Sequence, residues 1–147
     1  MPLKQKIREC MISIENYATI SPDATLREAA LSLRKSFSEL KDGMRTTAGP
    51  RCVLVTDEDD NLLGILDFRC FLKNYFPQIG GLPESMIVKD VMLKEKGVID
   101  ADASMEDGFR AIVQKKLSIL PVCEGGKAVG LIRDTDIFLI LTENLKE

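Results

Sequence analysis

At 147 residues and 45% hydrophobic, the chain carries enough apolar material for a packed core, which excludes disorder, and is too short for a large catalytic scaffold. A formal charge of −3 and a pI near 5.1 give no long-range attraction for nucleic acid, and no Lys/Arg run marks a basic patch. The apolar stretches fall well short of the roughly 20 residues of a membrane helix. The N-terminus, "MPLKQKIRECMISIENY", lacks the apolar core of a signal peptide, so a soluble cytoplasmic protein without membrane insertion is expected.

In chain order, the elements come twice. "IRECM" from Ile7 has the pattern of "VKDVM" from Val88, except at Cys10. "ISPDATLREAA" from Ile20 falls on "IDADASMEDGF" from Ile99. Thr25 with Glu28, and Ser104 with Asp107, have the hydroxyl–acid spacing of a helix start. Leu26, Ala29, Ala30, Leu33 and Phe37 then recur at helical spacing, as do Met105, Phe109, Ile112 and Val113. "RCVLV" and "SILPV" predict strands, and "TDEDDN" and "EGGK" predict tight turns into "LLGIL" and "AVGLI". Phe68, Phe71, Leu72 and Phe76 stripe the closing helix of repeat 1, and Ile137, Phe138, Leu141 and Leu145 that of repeat 2.

Each unit therefore reads strand, helix, strand, strand, helix. Gly64 lies 44 positions after Ile20, but Gly130 lies 31 after Ile99. Most of the difference falls in the polar stretch "SELKDGMRTTAGP", read as an insertion at about residues 38–50. The organisation is a first unit over 1–76, a linker rich in Pro and Gly over 77–86, and a second unit over 87–147. One unit is too small to bury its helix and sheet faces alone, whereas a pair is not.

Catalytic and metal chemistry have little to work with. There is no histidine, which removes Ser/His and Cys/His nucleophile pairs and the usual base near pH 7. Cys10, Cys52, Cys70 and Cys123 are widely spaced and form no C-x-x-C pair, so they read as small residues of the fold and not as ligands. The acidic run Asp57–Asp60 lacks the alternation of a calcium loop and reads as a solvated hairpin tip. No catalytic residue, metal site or required cofactor is assigned.

The lead-in "VKDVM", the helix start "PDATLREA", "LPV" on the second strand, and the closing glycine–aliphatic pair–polar–x–x–Asp frame together resemble the CBS domain, named for cystathionine β-synthase. Here it is a tandem pair, a Bateman module, over about residues 7–145. Repeat 1 departs from the pattern at Leu54, which replaces the proline of "LPV", and in its insertion. The resemblance implies an α+β fold of two β-α-β-β-α units packed with pseudo-two-fold symmetry, usually binding adenosine-containing ligands in clefts between repeats. It also implies regulation of a partner protein, no catalysis, and homodimers.

In that frame "GLIRDTDIF" and "GILDFRCFL" differ in their polar residues. The resemblance places a phosphate-contacting hydroxyl where Arg133 stands and a ribose-binding carboxylate at Asp136. A carboxylate suits two neighbouring hydroxyls and a guanidinium suits phosphate. Asp134 is placed to pair with Arg133 instead. Met92, Val98, Ile99, Ile119, Leu120 and Pro121 would line the adenine slot, although residues of the type of Val98, Ile99, Ile119 and Leu120 are more often core than adenine wall. Repeat 1 has Asp67 and Cys70 at the matching positions, a repulsive group and a poor acceptor, so its cleft is expected to be empty or to take something less anionic. Asp136 and Asp67 also suit a plain helix start. The expected function is a non-catalytic module that binds an AMP-, ADP- or ATP-like ligand, or another adenosyl compound, and signals to an effector protein. The alternative is a ligand-free dimeric scaffold.

Overall fold

The structure, a computed structural model, describes residues 4–38, 52–94, 97–143 and 145, with the backbone alone at 36–38. Beyond Ser38, the expected insertion lies outside the described residues, as does the side chain of Phe37. The helices are α1 (Ile7–Cys10), α2 (Leu26–Ser38), α3 (Phe68–Lys73), α4 (Val88–Val91), α5 (Met105–Lys115) and α6 (Asp134–Thr142). The strands are β1 (Ile12–Ser13), β2 (Thr19–Ile20), β3 (Cys52–Thr56), β4 (Leu62–Asp67), β5 (Ile99–Asp100), β6 (Ile119–Glu124) and β7 (Lys127–Arg133). Both repeats thus show the expected order, β2-α2-β3-β4-α3 and β5-α5-β6-β7-α6, in an α+β architecture with two sheets.

Helix starts follow their predicted chemistry. Thr25 Oγ1 accepts from the Glu28 N–H at 3.0 Å while Glu28 Oε1 accepts from the Thr25 N–H, and Ser104 Oγ accepts from the Asp107 N–H at 3.1 Å. Register confirms the repeat alignment: Val55 faces Gly64 across β3 and β4, and Val122 faces Gly130 across β6 and β7. Ile20 pairs with that Val55 and Ile99 with that Val122.

The compact units do not coincide with the sequence repeats. One comprises Met1–Asn16 with Lys96–Glu147, the other Tyr17–Glu95. Each unit is completed by the lead-in of the other repeat, through matching bonds. In the first, the Ile7 and Arg8 N–H groups donate to Ala103 and Ala101 carbonyls, and Met105 N–H donates to Gln5. In the second, Val88 and Lys89 donate to Ala24 and Pro22, and Leu26 donates to Met86. The expected linker therefore runs over the second unit, where Leu82 and Met86 pack against its core. The reason is sheet completion. β1 adds to β7 with Ile12 opposite Leu131, and Leu93 bridges Ile65 of β4 in the same way.

Two cores result, one around Ile7, Met105, Leu120 and Ile132, the other around Leu26, Val53, Leu66 and Val88. The closing helices face these cores differently from the predicted stripes. Cys70 is buried in α3 and Ile137 in α6, whereas Leu72 is 74% and Phe138 62% exposed. Phe68, Phe76, Val113 and Leu145 are exposed too. In so short a helix as α3, residues 68 and 72 share one face, and the core side is already filled by Cys70 with Phe71 against it.

The repeated glycine has a steric cause. A Cβ on Gly64 would lie 2.6 Å from the Leu93 carbonyl oxygen, and one on Gly130 would lie 2.5 Å from that of Ile12. Backbone cannot move aside as a side chain does. Gly64→Ala and Gly130→Ala should each destabilise by about 1–3 kcal/mol, whereas Gly81→Ala, with open space around it, should stay within about 0.5 kcal/mol. Urea titration of the three variants checks this, and equal midpoints would refute the steric account.

Candidate functional site

The strand edge that begins each parallel pair differs between the repeats. In repeat 1, Thr19 pairs with Leu54 and Ile20 with Val55. In repeat 2, the pairs are Ile99 with Val122 and Asp100 with Cys123, so pairing starts one residue later. Pro121 is the cause. At its counterpart, the Leu54 N–H donates to the Ala18 carbonyl at 3.1 Å, a bond proline has no hydrogen to make. Val98, level with Pro121, consequently lies ahead of β5; it is 45% exposed, and its counterpart Thr19 is exposed as well.

The same end of the repeat 2 sheet carries the start of α6. Ile119 faces Arg133 across β6 and β7, and the Asp134 N–H donates to the Ser118 carbonyl at 2.9 Å. Pro121, Ile119, Val98, Arg133 and Asp134 are thus placed toward one end of this sheet, across β7, β6 and the start of β5. Of the remaining expected site residues, Ile99 and Leu120 belong to the core. Met92 belongs to the other compact unit, where it packs at Gly64.

Arg133 and Asp136 are engaged with each other. Arg133 Nε donates to Asp136 Oδ2 at 3.0 Å and Nη2 to Oδ1 at 2.7 Å, a bidentate fork. Asp136 Oδ2 also accepts from the Arg133 N–H at 3.0 Å, so the carboxylate caps α6 as well. Both side chains are nearly buried, 8% and 18% exposed. A carboxylate has about four acceptor positions, and three are filled here, which leaves too few for a ribose diol. Asp136, not Asp134, is therefore the partner of Arg133. Asp134 Oδ1 and the neighbouring Thr135 Oγ1 are buried without a hydrogen-bond partner. Sequence reasoning passed over Thr135, for which the signal was a hydroxyl between two acids in a helix's first turn.

In repeat 1 the corresponding groups serve the fold. Asp67 caps α3 by accepting from the Cys70 N–H at 3.1 Å, and Cys70 is core. Burial pushes the Cys52 thiol up to about 12 and raises Cys70 also, so neither is a thiolate nucleophile near neutral pH. The Asp57 carboxylate accepts from the Asp59 and Asn61 N–H groups, which makes the acidic run a self-satisfied turn. Among the described residues, no group of three or more His, Cys, Asp or Glu is placed to hold a metal ion. No described helix is long and apolar enough to cross a membrane.

Comparison with known proteins joins these features. The CBS domain family model matches residues 7–76 and 88–143. The chain belongs to the CBS domain family. Similar solved structures include a CBS domain-containing protein of unknown function from Bacillus anthracis str. Ames Ancestor, 18% identical, with a TM-score of 0.79 and coverage of 98% of this chain and 97% of that one. CBSX2, solved in complex with AMP, is 18% identical with a TM-score of 0.72, covering 94% and 96%. The CBS domain of a CBS domain containing membrane protein from Sphaerobacter thermophilus is 17% identical with a TM-score of 0.74, covering 94% and 89%. No curated protein matches. CBS pairs are in general regulatory modules and not catalysts.

The buried fork makes an asymmetric prediction. Asp136→Ala removes both the bidentate acceptor of a guanidinium that is 8% exposed and the acceptor for the Arg133 N–H, and should destabilise by about 1.5–3 kcal/mol. Arg133→Leu leaves a carboxylate still bonded to backbone and should cost markedly less. Thermal unfolding of both variants tests the order, and equal losses would mean that the pair is not what holds this turn.

Proposed function

We propose that the chain is a non-catalytic regulatory module that binds an adenosine-containing ligand in repeat 2, at the end of the sheet near Pro121 and Val98, and passes the effect to another protein. The observation that carries this reading is the later start of strand pairing at Pro121, which leaves Val98 exposed outside β5, where repeat 1 makes the Leu54–Ala18 bond instead. The exposed Val98 offers an apolar surface suited to a purine, and the chain just ahead of β5 offers backbone groups for its polar rim. CBSX2, of the same fold, is in complex with AMP. The absence of a histidine supports binding without turnover. No cofactor is required on this reading, and a cytoplasmic setting fits it.

A thermal-shift panel of adenosine, AMP, ATP and S-adenosylmethionine tests the proposal. A ligand at 100 times its dissociation constant should stabilise by about 2.7 kcal/mol, a shift of several degrees. Val98→Glu, at an exposed position, should abolish the shift without unfolding the chain. Asp136→Ala is the wrong control, because it removes a structural fork.

The fork itself favours a second reading, a ligand-free dimeric scaffold, since Arg133 and Asp136 are engaged with each other. Silence of the whole panel at millimolar concentration would select it. Under either reading we propose a homodimer through α6, where Phe138 is 62% and Leu139 64% exposed. Phe138→Glu should then shift the sedimentation coefficient from dimer to monomer. A wild-type chain that already sediments as a monomer overturns that assignment.

A further inference from the structure

We infer that the surface receiving α6 in the homodimer is α3 of the second copy, so that repeat 1 of one chain meets repeat 2 of the other, and that charge sets this order. The inference rests on the homodimer proposed through α6 and names the partner surface.

The two closing helices stand at matching places in the repeat frame, and each leaves apolar residues uncovered. α3 and the turn after it expose Phe68, Leu72, Tyr75, Phe76 and Ile79, with Leu72 at 74% and Ile79 at 63%. So many large apolar side chains on one short stretch mark a surface for a partner. On α6 the uncovered residues are Phe138 and Leu139.

The charges beside these strips are opposite. Residues four apart on a helix are neighbours on its surface. On α3 that spacing aligns Arg69 with Lys73, both exposed, next to Phe68 and Leu72. α3 contains no acidic residue, and its N-cap Asp67 accepts from the Cys70 N–H. On α6 the same spacing aligns half-buried Asp134 with Phe138, and Leu139 with exposed Glu143. α6 contains no Lys or Arg, and the guanidinium of its N-cap Arg133 is held by Asp136 at 2.7 Å. Arg69, Lys73 and Glu143 form no ion pair among the described residues.

These charges select the pairing. α3 on α3 would oppose cations to cations, and α6 on α6 acids to acids. α3 on α6 covers both apolar strips and opposes cations to acids, the arrangement that electrostatic complementarity favours. A two-fold axis makes the two α3–α6 contacts equivalent, so association closes at two copies.

Cysteine cross-linking of the full chain tests the order. Cys10→Ser leaves only the buried Cys52, Cys70 and Cys123. In that background Leu72→Cys and Leu139→Cys chains are treated with a short bismaleimide, each alone and after mixing. The mixture should give cross-linked dimer, and neither variant alone should. Cross-linking of each variant with itself, and none gained on mixing, overturns the order and leaves the homodimer standing. Sedimentation at low salt supplies a second measurement. Arg69→Glu with Lys73→Glu, both at exposed positions, should weaken association at least about tenfold, and adding Glu143→Lys should restore part of it. Unchanged association in the doubly reversed chain refutes the role given to charge. A wild-type monomer overturns the homodimer and this inference with it.

Discussion

Each unit of this protein depends on one close backbone crossing. At Gly64 and at Gly130 the lead-in of the other repeat passes so near the strand that a single Cβ would collide with a carbonyl oxygen. That approach allows Leu93 to bridge Ile65 and β1 to pair with β7, and these pairings bring α4 and α1 down onto their cores. The main-chain bonds around them are repeated donor for donor, from Val88 to Ala24 in one unit and from Ile7 to Ala103 in the other. Surface ion pairs follow the same plan, with Lys89 beside Asp23 and Arg8 beside Asp102 and Glu124. Exposed pairs of this kind are worth roughly 0–1 kcal/mol, so they help to set register, while backbone bonds and burial supply stability.

A shared frame makes the differences between the repeats legible. Pro121 stands where repeat 1 has Leu54, and one missing N–H shifts the start of a parallel strand pair by a residue. Arg133 stands where repeat 1 has Asp67, and Asp136 where it has Cys70. In repeat 1 the carboxylate caps α3 and the thiol fills the core, which uses both groups for folding. In repeat 2 the carboxylate both caps α6 and grips the guanidinium, which leaves polar groups next to it without partners. Duplication supplied two scaffolds of one shape, and a few substitutions at the strand ends gave them unequal chemistry.

That chemistry lies on the strand that also receives a lead-in. β7 pairs with β1 at Leu131 and ends at Arg133, two residues further on. Anything that alters the turn into α6 acts on a strand already held by residues from the far end of the chain. A ligand can bias such an arrangement only by its difference in affinity between two states. A buried fork with a defined closed geometry provides one such state.

The sequence by itself determined the repeat, the order of elements, the helix starts and the glycine frame, because each rests on local chemistry: hydrophobic period, hydroxyl–acid spacing and turn residues. It also located Pro121, Arg133, Asp134 and Asp136 as the residues where the repeats diverge. Tertiary structure decided how they are used. Which lead-in completes which sheet depends on non-local pairing, of Ile12 with Leu131 and of Ile65 with Leu93, and no local pattern encodes it. The exposure of Leu72 and Phe138 depends on which face of a short helix meets the core, a choice that apolar spacing alone leaves open. The mutual capture of Arg133 and Asp136 required the register of β6 against β7, which brings the start of α6 to the sheet and buries the two side chains together. Burial turned two residues that read as independent ligand contacts into one ion pair, and left their neighbours Asp134 and Thr135 as the groups in need of a partner.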